Sequence, residues 1–351
     1  MATQTTITDV LPSDWYSNPA VFALEQDRIF EHSWQLVGSA AQVAAPGDYL
    51  TFRAGTIPAV VTRDKGGDLH GLVNVCRHRG TEIVDGEGSV KSLQCRYHGW
   101  TYGLDGCLIA APRAREHPSF SVNDHRLPRI QASEWFSMVF VNADPEAPAL
   151  EEMLYELSEM LADTSISFHA MGKPIRRVWE IAANWKILVE NFLECYHCPL
   201  VHPSFSKLIE MDDFEWRQYE HFATLGGSIR DGSGATGSDL FTAYIWPNTF
   251  LNAYPGPSNV ANQVIVPLSP DRSLLVYDYF LLGDVEEAQR RDFLEFWDTV
   301  QREDIPLCES VHRGLASGTL PLINPMLPRE ELLGFLHRRV RRTVGDGSGV
   351  A

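Results

Sequence analysis

Cys76-Arg77-His78-Arg79-Gly80 and Cys95-Arg96-Tyr97-His98-Gly99-Trp100 decide how this chain is read: Cys-x-His, then sixteen residues, then Cys-x-x-His. Each half presents one thiolate and one imidazole from a glycine-flanked turn, so two such turns brought together supply two Cys and two His. A [2Fe–2S] cluster with two imidazoles on one iron and two thiolates on the other needs this interleaving, because each loop then serves both irons. A structural zinc ion also accepts a Cys₂His₂ set, but its familiar spacings group Cys with Cys and His with His. Four unrelated core residues are the remaining alternative, and the flanking glycines and mirrored spacing weigh against it.

Outward from these loops, residues 48–142 read as short β-rich runs such as 59–62 and 72–75, separated by Gly and Asp turns. Before them, Asn18-Pro19 leads into a helical stretch over 20–34. After them, Pro145 and Pro148 punctuate the chain and 149–161 has the pattern of an amphipathic helix. The second half mixes elements. Residues 176–181, 242–253, 262–267 and 274–282 read as strands, the last two paired through a turn at Ser269-Pro270-Asp271-Arg272. Residues 185–196 read as a helix, and a longer one over 285–304 is expected to stop near Pro306. The tail after Thr343 is expected to be disordered. The fold class is therefore α+β. It comprises a helical arm over 1–39, expected to pack on the C-terminal domain, a β-rich domain over 40–150, and a domain over 151–351 with an antiparallel sheet flanked by helices.

The second half carries its own chemistry. Asn184-Trp185-Lys186 is followed by Glu190-Asn191-Phe192-Leu193-Glu194-Cys195-Tyr196-His197-Cys198-Pro199-Leu200-Val201-His202. On a helix Glu190, Glu194 and His197 share a face, and Pro199 breaks the helix so that His202 can swing towards His197. Two His and a carboxylate from elsewhere make a facial triad, which leaves open positions on Fe(II). By itself a His pair five apart is more often two polar residues near a helix end. For the carboxylate, the long helix offers Asp292, Asp298, Glu303 and Asp304. Phe293, Trp297, Val300 and Asp304 recur at helical spacing, which puts Asp304 on the buried stripe, where a carboxylate is costly unless paired or metal-bound. Asp298 and Glu303 lie off that stripe.

The two loop motifs and the Asn-Trp-Lys … acidic-x-Tyr-His-x₄-His block resemble the α subunits of Rieske non-haem iron oxygenases. The resemblance implies that Cys76 and Cys95 bind one cluster iron and His78 and His98 the other, while His197, His202 and Asp304 bind a mononuclear Fe(II). Asp304 through Val311 sits in a context similar to that of the family's third ligand. It further implies a helix-grip-like catalytic domain and a homotrimer in which the cluster of one subunit serves the iron of the next. Glu194 matches the acidic residue that bridges a cluster His, here His98, to an iron His, here His197. Many members carry Asp at this point. The Glu-Cys-Tyr-His-Cys variant resembles a subgroup that acts on small quaternary ammonium compounds such as choline, carnitine and betaines.

The expected activity is thus O₂-dependent hydroxylation or N-demethylation of such a compound. Hydroxylation of an aromatic ring, O-demethylation, and a pure electron-transfer protein are the alternatives. No glycine-rich nucleotide fingerprint is present, so electrons are expected from a separate NAD(P)H-dependent reductase or ferredoxin. Cys195 and Cys198 read as packing residues, because a reactive pair needs an exposed, electropositive setting. Phe241, Tyr244, Trp246, Phe250, Tyr254, Tyr277 and Tyr279 could cage an alkylammonium group, but on strands they read as simple core. The net charge of −17 argues against nucleic acid or anionic lipid as partners. No apolar run approaches the ~18 residues of a spanning helix, and residues 1–14 show no signal-peptide pattern, so a cytoplasmic protein is expected.

Overall fold

The computed structural model describes residues 10–164, 166, 168–322 and 329–345. They fall into two compact units, Phe30–Tyr155 and a second made of the described residues of Met1–Ile29 and Glu156–Ala351. Helix α1 (Pro19–Glu25) is the first α-helix among the described residues, with Pro19 at its first turn and the Asn18 side chain accepting the Ala20 N–H at 2.9 Å. The helical arm expected over 1–39 ends sooner than its pattern suggested. Residues 35–39 form strand β1 (Gln35–Ser39), whose backbone groups are claimed by a sheet partner.

The Phe30–Tyr155 unit is built from β1, β2 (Asp48–Ala54), β3 (Ile57–Arg63), β4 (Leu69–Val73), β5 (Glu87–Ser89), β6 (Leu93–Gln94), β7 (Thr101–Tyr102), β8 (Leu108–Ala110), β9 (Arg129–Trp135) and β10 (Met138–Asn142). Seven of them make an antiparallel sheet in the order β1-β10-β9-β4-β3-β2-β5, and β6-β7-β8 make a smaller one. Val60, Leu72, Leu93, Tyr102 and Leu127 bury one core, and Cys76 and Cys95 belong to it. Next come α2 (Leu150–Met153) and α3 (Tyr155–Ala162). The single helix expected over 149–161 is broken at Leu154, although Leu150, Leu154, Leu157 and Leu161 keep a buried stripe.

The second unit continues with β11 (Ile175–Ile181), α4 (Trp185–Phe192), α5 (Cys198–Val201), α6 (Pro203–Leu208), β12 (Glu215–Gln218), β13 (Phe222–Gly227), β14 (Leu240–Ile245), β15 (Thr249–Ala253), β16 (Asn259–Ser269), β17 (Arg272–Leu281), α7 (Glu287–Ala316) and α8 (Glu331–Val344). Its strands form one antiparallel sheet in the order β11-β17-β16-β15-β14-β13-β12. β16 and β17 pair through the expected turn, with Ser269 opposite Arg272. The strand expected over 242–253 is instead the β14–β15 hairpin, turned at Trp246-Pro247-Asn248.

Three departures have simple causes. Helix α4 ends at Phe192, so Glu194 and His197 lie in the following turn rather than on a helix face. Helix α7 runs 30 residues through Pro306 instead of stopping there. Pro306 is exposed, so water can meet the Arg302 carbonyl that loses its N–H partner, while Phe293, Trp297, Asp304, Cys308 and Leu315 keep the helix packed on both sides. Helix α8 was not anticipated. Its buried residues Leu332, Leu336 and Val340 form a narrow stripe among Arg338, Arg339, Arg341 and Arg342, which mask the apolar period. The tail expected to be disordered lies, after Gly345, outside the described residues. Among the described residues no helix is long and apolar enough to cross a membrane.

The Asn184-Trp185-Lys186 entry fixes the start of α4. Asn184 Oδ1 accepts the Lys186 N–H, and its Nδ2 donates to the Pro270 carbonyl at the β16–β17 turn. Trp185 Nε1 donates to Glu25 Oε2 at 2.8 Å and Lys186 Nζ to Glu25 Oε1 at 2.5 Å, with neither charge of the pair exposed. Removing one partner of a buried ion pair strands the other charge, which costs about 3–5 kcal/mol. Glu25→Ala is therefore expected to destabilise the protein by that amount in urea unfolding, whereas an exposed pair such as Arg53–Glu82 should contribute under about 1 kcal/mol.

Candidate active site

The two motif loops of the β-rich unit mirror each other. Cys76 N–H donates to the Thr81 carbonyl and Gly80 N–H to the Cys76 carbonyl. Cys95 N–H donates to Trp100 and Gly99 N–H to the Cys95 carbonyl in the same way. Gly80 and Gly99 take φ of 77° and 72°, the left-handed conformation that lets each loop turn back on itself. The result places both cysteines in the core and leaves both histidines exposed, their rings 4.6 Å apart. Trp100 stacks on His78 at 4.9 Å and 7° and so orients it. Tyr102 Oη lies 3.4 Å from Cys76 Sγ and accepts the Arg77 N–H at 3.0 Å. Burial, then the bond to Cys76, raises the Tyr102 pKa, so the phenol keeps its proton as a donor for the sulfur.

This donor set suits a [2Fe–2S] cluster better than a zinc ion. A tetrahedral ion draws its ligand atoms to one point. Among the described residues only His197, His202 and Asp304 bring three such atoms within 4.8 Å of one another, and no three of the four loop ligands do so. Two buried thiolates on one side and two exposed imidazoles on the other match a two-iron cluster instead.

In the second unit, His197 and His202 flank the short helix α5, and Asp304 projects from α7. His197 Nε2 is 3.2 Å from His202 Nε2 and 3.5 Å from Asp304 Oδ1, and His202 Nε2 is 2.9 Å from the same oxygen. Ligand atoms on one face of an octahedron lie about 3 Å apart, so the spacing fits a metal triad. The outer nitrogens are occupied: His197 Nδ1 is bonded to Glu194 Oε1 and His202 Nδ1 to Glu303 Oε2 at 2.7 Å. With the Nδ1 positions donating to carboxylates, both Nε2 atoms are left free beside the buried Asp304 Oδ1, which has no properly aimed hydrogen-bond partner. Three convergent lone pairs are what a cation needs.

Burial opposes charge on His197, but the Asp304 and Glu194 carboxylates outweigh it and push its pKa up to about 9. His202 rises for the same reasons, with Asp304 ahead of Glu303. Asp304 is held below the usual carboxylate range, since both imidazoles overcome its burial. Metal uptake is thus expected to release protons.

Glu194 does more than hold His197. Its Oε2 accepts the backbone N–H groups of Tyr196 and His197, which sets the turn after α4. Cys195 and Cys198, expected as packing residues, are joined in a disulfide. The end of α4 and the bend before Pro199 bring their Cα atoms to 5.0 Å, within disulfide reach.

Glu303 escapes the sequence pattern because it lies off the apolar stripe, and in the structure its side chain is 36% exposed. Adjacency to Asp304 was the available signal, since a metal-bound His commonly donates its other N–H to a carboxylate. Glu303→Ala is expected to weaken Fe(II) binding about 10–100-fold with the cluster unaffected, measured by metal titration of iron-depleted protein.

The triad opens into a pocket with a cavity volume of about 90 Å³. Three of the aromatics read as core, Phe250, Tyr254 and Tyr277, line it. Phe205 and Trp297 join them. Trp297 stacks on Tyr254 at 3.8 Å and meets Phe205 edge-on at 6.1 Å, while the Tyr254 and Tyr277 hydroxyls bond at 2.6 Å. Phe241, Tyr244, Trp246 and Tyr279 are not among its lining residues.

Comparison with known proteins agrees with both halves. The Rieske [2Fe-2S] domain family matches residues 33–121, and the ring hydroxylating alpha subunit (catalytic domain) family matches 168–244 and 236–346. Choline monooxygenase of Arabidopsis thaliana chloroplasts is 34% identical over 87% of this chain and 76% of its own. The carnitine monooxygenase oxygenase subunit of Acinetobacter pittii is 31% identical, covering 87% and 85%. The crystal structure of the quaternary ammonium Rieske monooxygenase CntA with L-carnitine has a TM-score of 0.86 at 29% identity, covering 96% of both chains. Naphthalene 1,2-dioxygenase from Rhodococcus sp., at 19% identity and a TM-score of 0.80, shares the fold. With matches running from the first module through the second, the chain belongs to the Rieske non-haem iron oxygenases, oxidoreductases that carry a [2Fe–2S] cluster and a mononuclear iron.

Proposed function

We propose that the protein is the oxygenase component that oxidises a small quaternary ammonium compound at the iron held by His197, His202 and Asp304. The observation that carries this is that the rings of Phe205, Trp297, Tyr254 and Tyr277 line the same pocket as that triad. A quaternary cation has no N–H to donate, so ring faces and carboxylates are its natural partners. The relatives named for choline and carnitine oxidation support the same class.

The residues divide the work as follows. Cys76, Cys95, His78 and His98 hold the cluster. Glu194 and Glu303 fix the tautomers of His197 and His202, so that each presents Nε2 inward. The bound iron supplies O₂ activation: with two electrons and two protons, one oxygen atom enters a substrate C–H bond and the other leaves as water. The rings orient the ammonium group and exclude water from the triad. A hydroxylated N-methyl carbon leaves as formaldehyde and gives the demethylated amine, another carbon bonded to nitrogen leaves as its own aldehyde with release of the amine, and hydroxylation farther away gives an alcohol, or an aldehyde where the carbon already bears a hydroxyl.

Electrons come from a separate reductase or ferredoxin to the cluster, and a homotrimer would let Glu194 link His197 to His98 of a neighbouring subunit. Exposed Tyr196 and Leu200, on either side of the His197 loop, are apolar surface that such a contact would cover. A cytoplasmic setting completes the reading. The test supplies a reductase and follows substrate-dependent O₂ uptake with choline, L-carnitine, benzoate and naphthalene. Ammonium compounds should stimulate uptake and yield product; stimulation by the aromatics alone would overturn the substrate class.

A further inference from the structure

Among the described residues lining the pocket there is no Lys or Arg, and the carboxylates there, Glu194 and Asp304, are both committed to the triad. Apart from the two ligand histidines, the pocket's other polar side chains carry no charge. Gln263 from β16 and Gln301 from α7 are 2% and 3% exposed, and each leaves a side-chain polar atom without a hydrogen-bond partner: Nε2 of Gln263 and Oε1 of Gln301. Asn191 Nδ2 on α4 is a third such atom. Gln301 lies one turn beyond Trp297 on α7, so it shares the face that the rings present to the pocket. By contrast Asn252, also lining the pocket, is satisfied by Thr242 and the Ala261 carbonyl.

Buried amides without partners are expensive unless a ligand completes them. An amide offers a donor and an acceptor and can turn over to present either. A hydroxyl matches that dual character. A carboxylate only accepts, and would surrender its hydration in a pocket whose lining offers no Lys or Arg to pair with it.

We infer that Gln263, Gln301 and Asn191 form a subsite for an uncharged oxygen group on the substrate, so that the protein selects hydroxyl-bearing ammonium compounds over carboxylate-bearing ones. This rests on the quaternary-ammonium reading of the same pocket and narrows it. Discrimination comes from unpaired polar groups on one side and an uncompensated charge on the other, which together give roughly a hundredfold or more.

Three ligands of matched size separate the two ideas. Choline and glycine betaine share the trimethylammonium group and differ at the oxygen end. Choline and 3,3-dimethyl-1-butanol share the hydroxyl and differ in charge. Binding to the oxidised holoenzyme is read by calorimetry under argon, with kcat/KM measured alongside. Choline should bind about a hundredfold tighter than glycine betaine, and about tenfold or more tighter than the neutral alcohol. Glycine betaine equal to or tighter than choline overturns the subsite. The neutral alcohol equal to choline overturns the ammonium reading and leaves the hydroxyl subsite standing. Binding by none of the three removes both.

Gln301→Leu and Gln263→Leu, checked for an unchanged cluster spectrum, should each lower choline affinity about tenfold or more with little effect on glycine betaine. Gln301→Arg should shift the ratio towards glycine betaine. An unchanged ratio in all three variants overturns the assignment.

Discussion

His202→Ala should cost the protein one iron per chain while the two cluster irons and the visible spectrum of the cluster remain. The side chain is almost wholly buried, its Nε2 faces His197 Nε2 and Asp304 Oδ1, and its Nδ1 is tied to Glu303. Two ligands cannot replace a facial triad, so product formation should fall by roughly a hundredfold or more. Asp304→Ala should do the same, and the two changes together should cost little beyond either alone, because both act on one ion. Iron analysis by mass spectrometry beside the absorption spectrum decides the matter. Full iron retention in either variant would move the mononuclear site elsewhere.

Glu194→Ala should be nearly as damaging by a different route. It removes the acceptor for His197 Nδ1 and for the backbone N–H groups of Tyr196 and His197. Loss of an orienting carboxylate costs about 10–100-fold in metal affinity or activity. Excess Fe(II) should restore the iron content but not the rate, because the proposed link to a neighbouring cluster is still missing. Rapid cluster reduction with slow reoxidation under O₂ and substrate would be the signature. Recovery of normal turnover once iron is restored would reduce Glu194 to a positioning role for His197.

The sequence showed much of this arrangement and hid the rest for physical reasons. The paired Cys/His loops are legible because a cluster ligated from two turns forces local, mirrored spacing. Asp304 is legible because a carboxylate on a helical apolar stripe demands a partner. Glu303 is half-exposed and breaks no rule by being where it is, so only the position of His202 reveals its use. The Cys195–Cys198 disulfide depends on where α4 ends, and helix boundaries are weakly encoded. Pro306 reads as a stop because proline breaks isolated helices, yet packing on both sides of it carries α7 onward. Phe250, Tyr254 and Tyr277 looked like strand core, since the alternation that marks a buried face is the same whether the face meets another layer or a pocket. Gln263 and Gln301 carry no sequence signal at all; they become visible only when burial and missing partners are seen together.

The most direct test is a single turnover without reductase. The protein is reduced under argon until the cluster is fully reduced, mixed with choline, and exposed to O₂, for the wild type and for His202→Ala in parallel. The wild-type cluster should reoxidise quickly only when choline is present, with oxidised choline appearing in proportion, while His202→Ala should reoxidise slowly and form none. Equal reoxidation with and without choline and no product in the wild type, or product from His202→Ala, would contradict the proposed function.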